Sequence, residues 1–317
     1  MSPTAEQTTP GPFRRGWHYL TLPVWNRDQH RLRAPLRAVL PLVCTFVGLA
    51  AVQTAVRAQF VHPWREIVEA VGLAAVLVVG VVLSARLLDR RPVAGYGLSF
   101  DRQWWRSLAV GGAIATAVNA GAFAVAVAAG WATVVGFAGG AGALPFPAAM
   151  VVVFAYVAVA ASWEEFVFRG TMLKNLAEGL DGYVPNWGIV AAAVLVSSVI
   201  FAALHGGKVD HVGQYGYYLL AGGIFASVYV LSGDLALPIG FHVFYNVTMS
   251  AVFGLGTSQQ PPELVVLDLV GPARWVGEEG LVHVVFAAVG GLLLLAYIRQ
   301  RDGHLGLADG VTQWTRR

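Results

Sequence analysis

The chain has 317 residues, of which 56% are hydrophobic and 12% are charged, whereas an ordinary soluble domain has about a quarter charged residues. This composition argues against a soluble enzyme, and a formal net charge of +3 without a dense basic tract argues against a nucleic-acid partner. The single cysteine, Cys44, excludes an intrachain disulfide framework and a thiolate metal cluster. The composition therefore predicts a polytopic membrane protein.

The first predicted element is an arginine-rich arm over residues 1–34, which lacks the apolar core of a secretory signal. Its Trp17, Tyr19 and Trp25 side chains suit either the lipid headgroup layer or a disordered arm, and both interpretations stay open. We predict that this arm is cytoplasmic. A transmembrane domain over 35–298 and a cytoplasmic tail over 299–317 follow it.

Eight apolar windows follow the arm, each close to the roughly 20 residues that a helix needs to cross about 30 Å of hydrocarbon. They lie near 36–56, 67–88, 107–129, 148–168, 187–205, 214–232, 235–254 and 281–298. A Gly-rich loop at 136–143 and a Pro-rich, acidic stretch at 255–280 interrupt the pattern without forming a separate domain. The windows predict an all-α fold class, a bundle of about eight transmembrane helices with a buried polar cavity.

The distribution of Lys and Arg predicts the orientation, because basic loops are retained on the cytoplasmic side. With both termini cytoplasmic in a bacterial plasma membrane, 17 of the 21 basic residues lie inside. The other four are Arg57, Arg65, Lys208 and Arg274. This asymmetry predicts an even number of crossings.

Two adjacent carboxylates, Glu164 and Glu165, occur where the fourth apolar window is still running. They point about 100° apart on a helix, and Arg169 follows Glu165 at the spacing of a same-face ion pair. The spacing favours Glu165 as the partner of Arg169 and Glu164 as the residue that faces a cavity. The opposite assignment, and a helix end whose three charges are simply solvated, stay open.

Two later windows contribute further polar groups. Phe201 and His205 share one helical face, and so do His242 and Asn246. Such residues can also be interhelical hydrogen bonders, which is how we interpret Asn119. Two other interpretations concern residues near these spans. Tyr156 and Tyr245 could line a cavity, but we interpret them as helix-packing residues. We interpret Lys208, Asp210 and His211 as a solvated turn.

Together, a carboxylate and a neutral imidazole can activate water as a general base. A histidine N–H and an asparagine amide can stabilise the oxyanion that attack on an amide carbonyl creates. Glu164, His205 and His242 are also the ligand types of a catalytic zinc site, although the HExxH signature is absent. The sequence therefore leaves the cofactor open: none, or a divalent metal such as zinc on these three residues.

Three short motifs occur in a fixed order. They are EExxxR from Glu164 to Arg169, FxxxH from Phe201 to His205, and HxxxN from His242 to Asn246. In this order they resemble the CPBP family of membrane proteins, named for CAAX proteases and bacteriocin-processing enzymes. The resemblance is clear over 145–255 and looser over 36–298.

The resemblance implies a glutamate-dependent intramembrane endopeptidase whose substrate is a membrane-associated peptide or lipidated protein, with or without a prenyl group. It implies that Glu164 activates water with His205, and that His242 and Asn246 stabilise the oxyanion. The residues that would support them are Glu165, Arg169 and Phe201. Two alternatives remain: a non-proteolytic member of the fold (scaffold, immunity or partner-binding protein), and acid–base chemistry on an isoprenoid-like lipid.

Strict alternation of the spans creates a difficulty, because Glu164 would lie near the cytoplasmic end of one helix and His205 near the outer end of the next. A fourth helix that continues past Arg169 toward Glu178 would place Glu164 nearer mid-membrane. We predict this continuation.

Overall fold

The computed structural model describes residues 24–180, 185–209, 212–256 and 261–313. Most of the predicted N-terminal arm, including Trp17 and Tyr19, lies outside the described residues, as do Asp210, His211 and the last four residues of the predicted tail.

Within the described residues, seven helices are long and apolar enough to cross a membrane. They are Ala34–Gln59 (α1), Trp64–Leu88 (α2), Arg102–Ala128 (α3), Phe146–Leu180 (α4), Asn186–Leu204 (α5), Val212–Ser232 (α6) and Leu281–Asp302 (α8), and a shorter apolar helix, Ala236–Val252 (α7), precedes the last of them. Each helix coincides with one of the apolar windows. The chain is a polytopic all-α membrane protein, as predicted. The helix formed by the seventh window, however, is shorter than the other seven.

The short helix α7 is buried over most of its length. It packs closely against α3 because glycines face each other across the contact. A Cβ atom on Gly240 would overlap the backbone of Leu108, and one on Gly111 would overlap the backbone of α7 at Leu237. Small residues of this kind let helix backbones touch. The close approach fixes the position of α7 in the middle of the bundle.

Helix α4 continues well past the paired glutamates, as predicted. It is α-helical to Glu165, π-helical over Phe166–Leu173, and α-helical again over Lys174–Leu180. All eight residues of the π-helical segment are buried. At about 1.5 Å per residue the helix is on the order of 50 Å long, and Glu164 lies close to its midpoint. The carboxylate therefore lies deep in the bundle.

The two loops that interrupt the apolar pattern pair with each other. After the short strands Trp25–Asn26 (β1) and Arg31–Leu32 (β2), which pair together, strand Ala132–Gly139 (β3) runs antiparallel to Glu263–Leu269 (β4), with an irregularity between Val134 and Gly136. The local sequence pattern does not predict this pairing, because the two strands are about 130 residues apart.

A buried polar network fixes the far end of α4. Arg37 donates to Asp89 at 2.7 Å, and the hydroxyl of Tyr96 donates to the other Asp89 oxygen at 2.7 Å. Arg91 forms a close ion pair with Glu178 near the end of α4. These side chains are buried, and the pairing offsets their desolvation cost. The network joins α1, the end of α2 and α4, and so helps to set the position of Glu164 along the bundle.

Candidate active site

The paired glutamates of α4 have different surroundings. Glu165 is fully buried, and its Oε1 lies 3.3 Å from Nη1 of Arg169, one helical turn later. The side chain of Glu164 is 19% exposed and lines a cavity of about 350 Å³. Its Oε2 is buried and makes no hydrogen bond with a described residue. An unpartnered carboxylate oxygen at a cavity wall is suited to binding water or a substrate group.

His242 of α7 lies between the two glutamates. Its Nδ1 is 2.8 Å from Oε1 of Glu165, and its Nε2 is 3.9 Å from Oε2 of Glu164. Because a carboxylate accepts hydrogen bonds, Nδ1 is the donor and Nε2 faces Glu164. The ring of Phe225 stacks on the imidazole at 4.7 Å. His242 is therefore held in one orientation by a carboxylate and an aromatic ring.

Arg169 connects this pair to its surroundings. The fully buried guanidinium donates to the carbonyl of Gly222 at 3.3 Å. It also lies over the rings of Phe201 and Phe225, at 4.6 and 5.2 Å from their centroids. Cation–π contacts of this kind offset part of the cost of burying a charge. Phe201, in the same motif as His205, thus contacts Arg169.

His205 directly follows the last residue of α5. Its Nδ1 is 2.8 Å from the carbonyl oxygen of Phe201, and because a carbonyl only accepts, Nδ1 carries the proton. Nε2 is then the unprotonated nitrogen of the neutral ring. Burial lowers the pKa of His205, although the nearby charge of Glu164 opposes this shift. The surroundings therefore favour a neutral imidazole.

The four candidate catalytic side chains line two cavities that share part of their walls. Glu164 lines the cavity of about 350 Å³, His205 and His242 line a second one of about 50 Å³, and Asn246 lines both. Because its side chain faces both cavities, the Asn246 amide can donate to a group in either one. The structure thus brings these four groups, which lie on three separate motifs, around two adjoining cavities.

Several residues of these cavities were missed or interpreted differently. Glu278 and Lys208 line both cavities, although Lys208 was assigned to a solvated turn. Tyr156 and Tyr245, interpreted as packing residues, also line them. Nothing in the spacing of the acidic stretch relates Glu278 to the helices. Asn119 does bond between helices, since its Nδ2 donates to the Tyr245 carbonyl at 2.8 Å.

The placement of these residues does not fit a metal site. Glu164, His205 and His242 are the ligand types of catalytic zinc. However, nowhere in the described part of the chain are three or more His, Cys, Asp or Glu side chains grouped so that they could hold a metal ion.

A family model described as "Type II CAAX prenyl endopeptidase Rce1-like" matches residues 145–248. Neither a curated protein nor a solved structure matches the chain. The matched segment begins one residue before α4 and ends within α7, so it contains all three motifs and every side chain of the candidate site that they contribute. Over residues 145–248 the chain is therefore similar to the CAAX prenyl endopeptidases, which supports the resemblance to the CPBP family that the three motifs carry.

Proposed function

We propose that this protein is an intramembrane endopeptidase that hydrolyses a peptide bond in a membrane-associated peptide or lipidated protein. The observation that supports this most strongly is the buried, unpartnered Oε2 of Glu164 at a cavity wall, 3.9 Å from Nε2 of His242. The family match over residues 145–248 supports the same reaction class.

In the proposed first step, Glu164 accepts a proton from water, and the oxygen attacks the scissile carbonyl carbon. A carboxylate that faces a cavity within hydrogen-bonding reach of a bound water can act as its general base. Nε2 of His205, the unprotonated nitrogen of that ring, orients the water by accepting its second proton in a hydrogen bond. The carbonyl oxygen becomes an oxyanion.

Asn246 and His242 stabilise this oxyanion in the proposal. The Asn246 amide donates directly. His242 donates from Nε2 when that nitrogen carries a proton, and the Glu165 carboxylate at Nδ1 balances the resulting charge. The intermediate then collapses, the carbon–nitrogen bond breaks, and the leaving amine takes the proton from Glu164. Arg169 and Phe201 support this arrangement by holding Glu165 in place.

The larger cavity indicates where the apolar part of a substrate lies. Its wall between α1, α2 and α4 includes Phe46, Leu49, Leu73 and Val157. Glu164 lies on the same wall, so an apolar segment in this space would bring its peptide bond to the carboxylate. A lipid chain and an apolar peptide segment both suit this surface, and the assay must include both.

The test is cleavage of membrane-associated peptides, with and without a prenyl group, by the purified protein in lipid. We expect Glu164→Gln and His205→Gln each to lower the rate by about 100-fold or more, as for loss of a general base. Glu66→Gln, on the partly exposed first turn of α2, is the matched control and should retain the rate. Equal rates in all four proteins would refute the proposal.

The same experiment addresses the alternatives. Mass spectrometry of the lipid and peptide pools measures both reactions. Conversion of an isoprenoid-like lipid without peptide cleavage would indicate lipid chemistry. A cellular function that survives Glu164→Gln but is lost when Gly222 becomes bulky would indicate a scaffold or binding protein. Gly222 is buried against Ser198 of α5, so a larger residue there would separate α5 from α6.

A further inference from the structure

We infer that Tyr218 and Glu279 are positioning residues for His205, so that the orientation of this histidine depends on a carboxylate in the segment before α8. The kinetic part of this inference rests on the proposed function. Glu279 lies outside the matched segment, and none of the three motifs includes either residue.

The orientation of the His205 ring depends on its contacts with other residues. The residue follows the end of α5, so its ring is not packed into a regular helix. The Tyr218 ring stacks on the imidazole at 4.4 Å with an angle of 22° between the planes. The Phe201 ring contacts it at 4.5 Å, and the Phe201 carbonyl accepts from its Nδ1. Two rings and one hydrogen bond therefore set the direction of Nε2.

Tyr218 is itself held by Glu279. Its hydroxyl donates to Oε1 of Glu279 at 2.7 Å, and Nε2 of Gln214 donates to Oε2 of Glu279 at 3.4 Å. Both carboxylate oxygens are thus engaged by α6. Glu279 lies in the segment between β4 and α8. Its neighbour Glu278 lines the cavities, so this segment lies beside them. The chain of contacts runs from Glu279 through Tyr218 to His205.

We expect that disrupting this series of contacts lowers kcat and leaves substrate binding little changed. Without the Tyr218–Glu279 hydrogen bond, the tyrosine ring can move and the imidazole can turn away from the cavity. A displacement of about 1 Å at a catalytic group can cost up to about 100-fold in rate. Neither residue is needed for the apolar contacts of a substrate at α1, α2 and α4, so KM should change little.

The experiment compares Tyr218→Phe, Glu279→Met, Glu279→Gln and the double variant Y218F/E279M in the full chain. Phe keeps the stacked ring without the donor, Met removes the acceptor, and Gln keeps an acceptor oxygen. We expect kcat to fall by about 10-fold in Y218F and E279M with KM within about two-fold of wild type. E279Q should restore most of kcat, and Glu263→Met on β4 should match wild type.

The double variant tests whether the two residues act as a unit. If Glu279 acts only through Tyr218, the double variant loses no more than either single variant, because coupled residues are not additive. Multiplied losses, unchanged kcat in both single variants, or failure of E279Q to restore the rate would each overturn the inference.

A second measurement does not depend on catalysis. Nitrogen NMR of ¹⁵N-histidine-labelled protein reports which ring nitrogen carries the proton, and loss of one signal in His205→Gln assigns that residue. We expect a single Nδ1–H form in wild type and E279Q, and exchange between tautomers in Y218F and E279M. Identical His205 spectra in all four proteins would overturn the inference even if peptides are cleaved. An inactive wild type with the expected spectra would instead refute the proposed function alone.

Discussion

The two neighbouring glutamates of the candidate site have different surroundings. Glu165 faces a guanidinium and an imidazole in a fully buried position, whereas an oxygen of Glu164 faces a cavity without a protein partner. The spacing favours this division, since only Glu165 is four residues before Arg169, but it leaves the opposite assignment open. It cannot predict that Glu165 also contacts His242, which is 77 residues away.

Glu165→Gln should cost stability and activity for different reasons. It removes the ion-pair partner of the buried Arg169 guanidinium, which costs about 3–5 kcal/mol. It also removes the charge that would balance a protonated His242. Thermal unfolding of the purified protein and peptide cleavage measure the two effects.

The double variant E165Q/R169M separates these effects. Removing both charges should restore much of the unfolding temperature, because no buried charge is left unpaired. Cleavage should stay low, because His242 still lacks its carboxylate. Recovery of full cleavage together with stability would show that Glu165 serves Arg169 only.

The pH dependence of cleavage should follow from the surroundings of His205. Burial lowers the pKa of this ring below 6.5 despite the opposing charge of Glu164, and the positive charge of Lys208 acts in the same direction as burial. The imidazole is protonated only below its pKa. Protonation of His205 should therefore leave kcat/KM unchanged between pH 8 and about 6.5, and it should lower kcat/KM at more acidic pH. A profile whose acid limb lies above pH 7 would contradict this assignment. Lys208→Gln should move the limb to higher pH.

At the level of elements, the sequence predicts what local properties determine. Length and hydropathy predict all eight helices, because a span needs only a sufficient run of apolar residues. The extension of α4 beyond Arg169 follows from the need to bring Glu164 near His205. The pairing of β3 with β4, and the π-helical form of Phe166–Leu173, could not be predicted, because they depend on contacts between segments far apart in the chain.

The close contact between α3 and α7 predicts the effect of adding one methyl group at Gly240. In Gly240→Ala the new Cβ would overlap backbone atoms of Leu108, so the two helices must separate. Overpacking of this kind costs about 1–3 kcal/mol, and it would move His242, two residues later, away from Glu165. We expect a lower unfolding temperature and a loss of cleavage. Gly223→Ala in α6, where a Cβ meets no atom within 4 Å, is the matched control and should behave like wild type.

On the scale of the whole molecule, contacts between distant segments occur at two ends of the helix bundle. Arg31, before α1, pairs with Glu178 at 3.3 Å, and Lys174 donates to the carbonyl of Gly310, after α8, at 2.7 Å. The segments at the start and the end of the bundle therefore meet beside the same end of α4. At the other end, His62 accepts from the backbone of Ala143 at 3.1 Å, near the β3–β4 pair. The even number of crossings that the charge asymmetry predicts would place both of these segments on one side of the membrane.

We expect the end that contains Arg31 and Glu178 to face the cytoplasm, because it carries most of the basic residues. Cysteine labelling in intact cells measures this. In a Cys44→Ser background, Arg274→Cys should react with a membrane-impermeant maleimide, and Arg90→Cys should react only after the membrane is opened. Both side chains are exposed, so lack of access to reagent would reflect the membrane and not the fold. The parent without cysteine controls for background. The reverse labelling pattern would place the two ends of the bundle on the opposite sides of the membrane and would contradict this orientation.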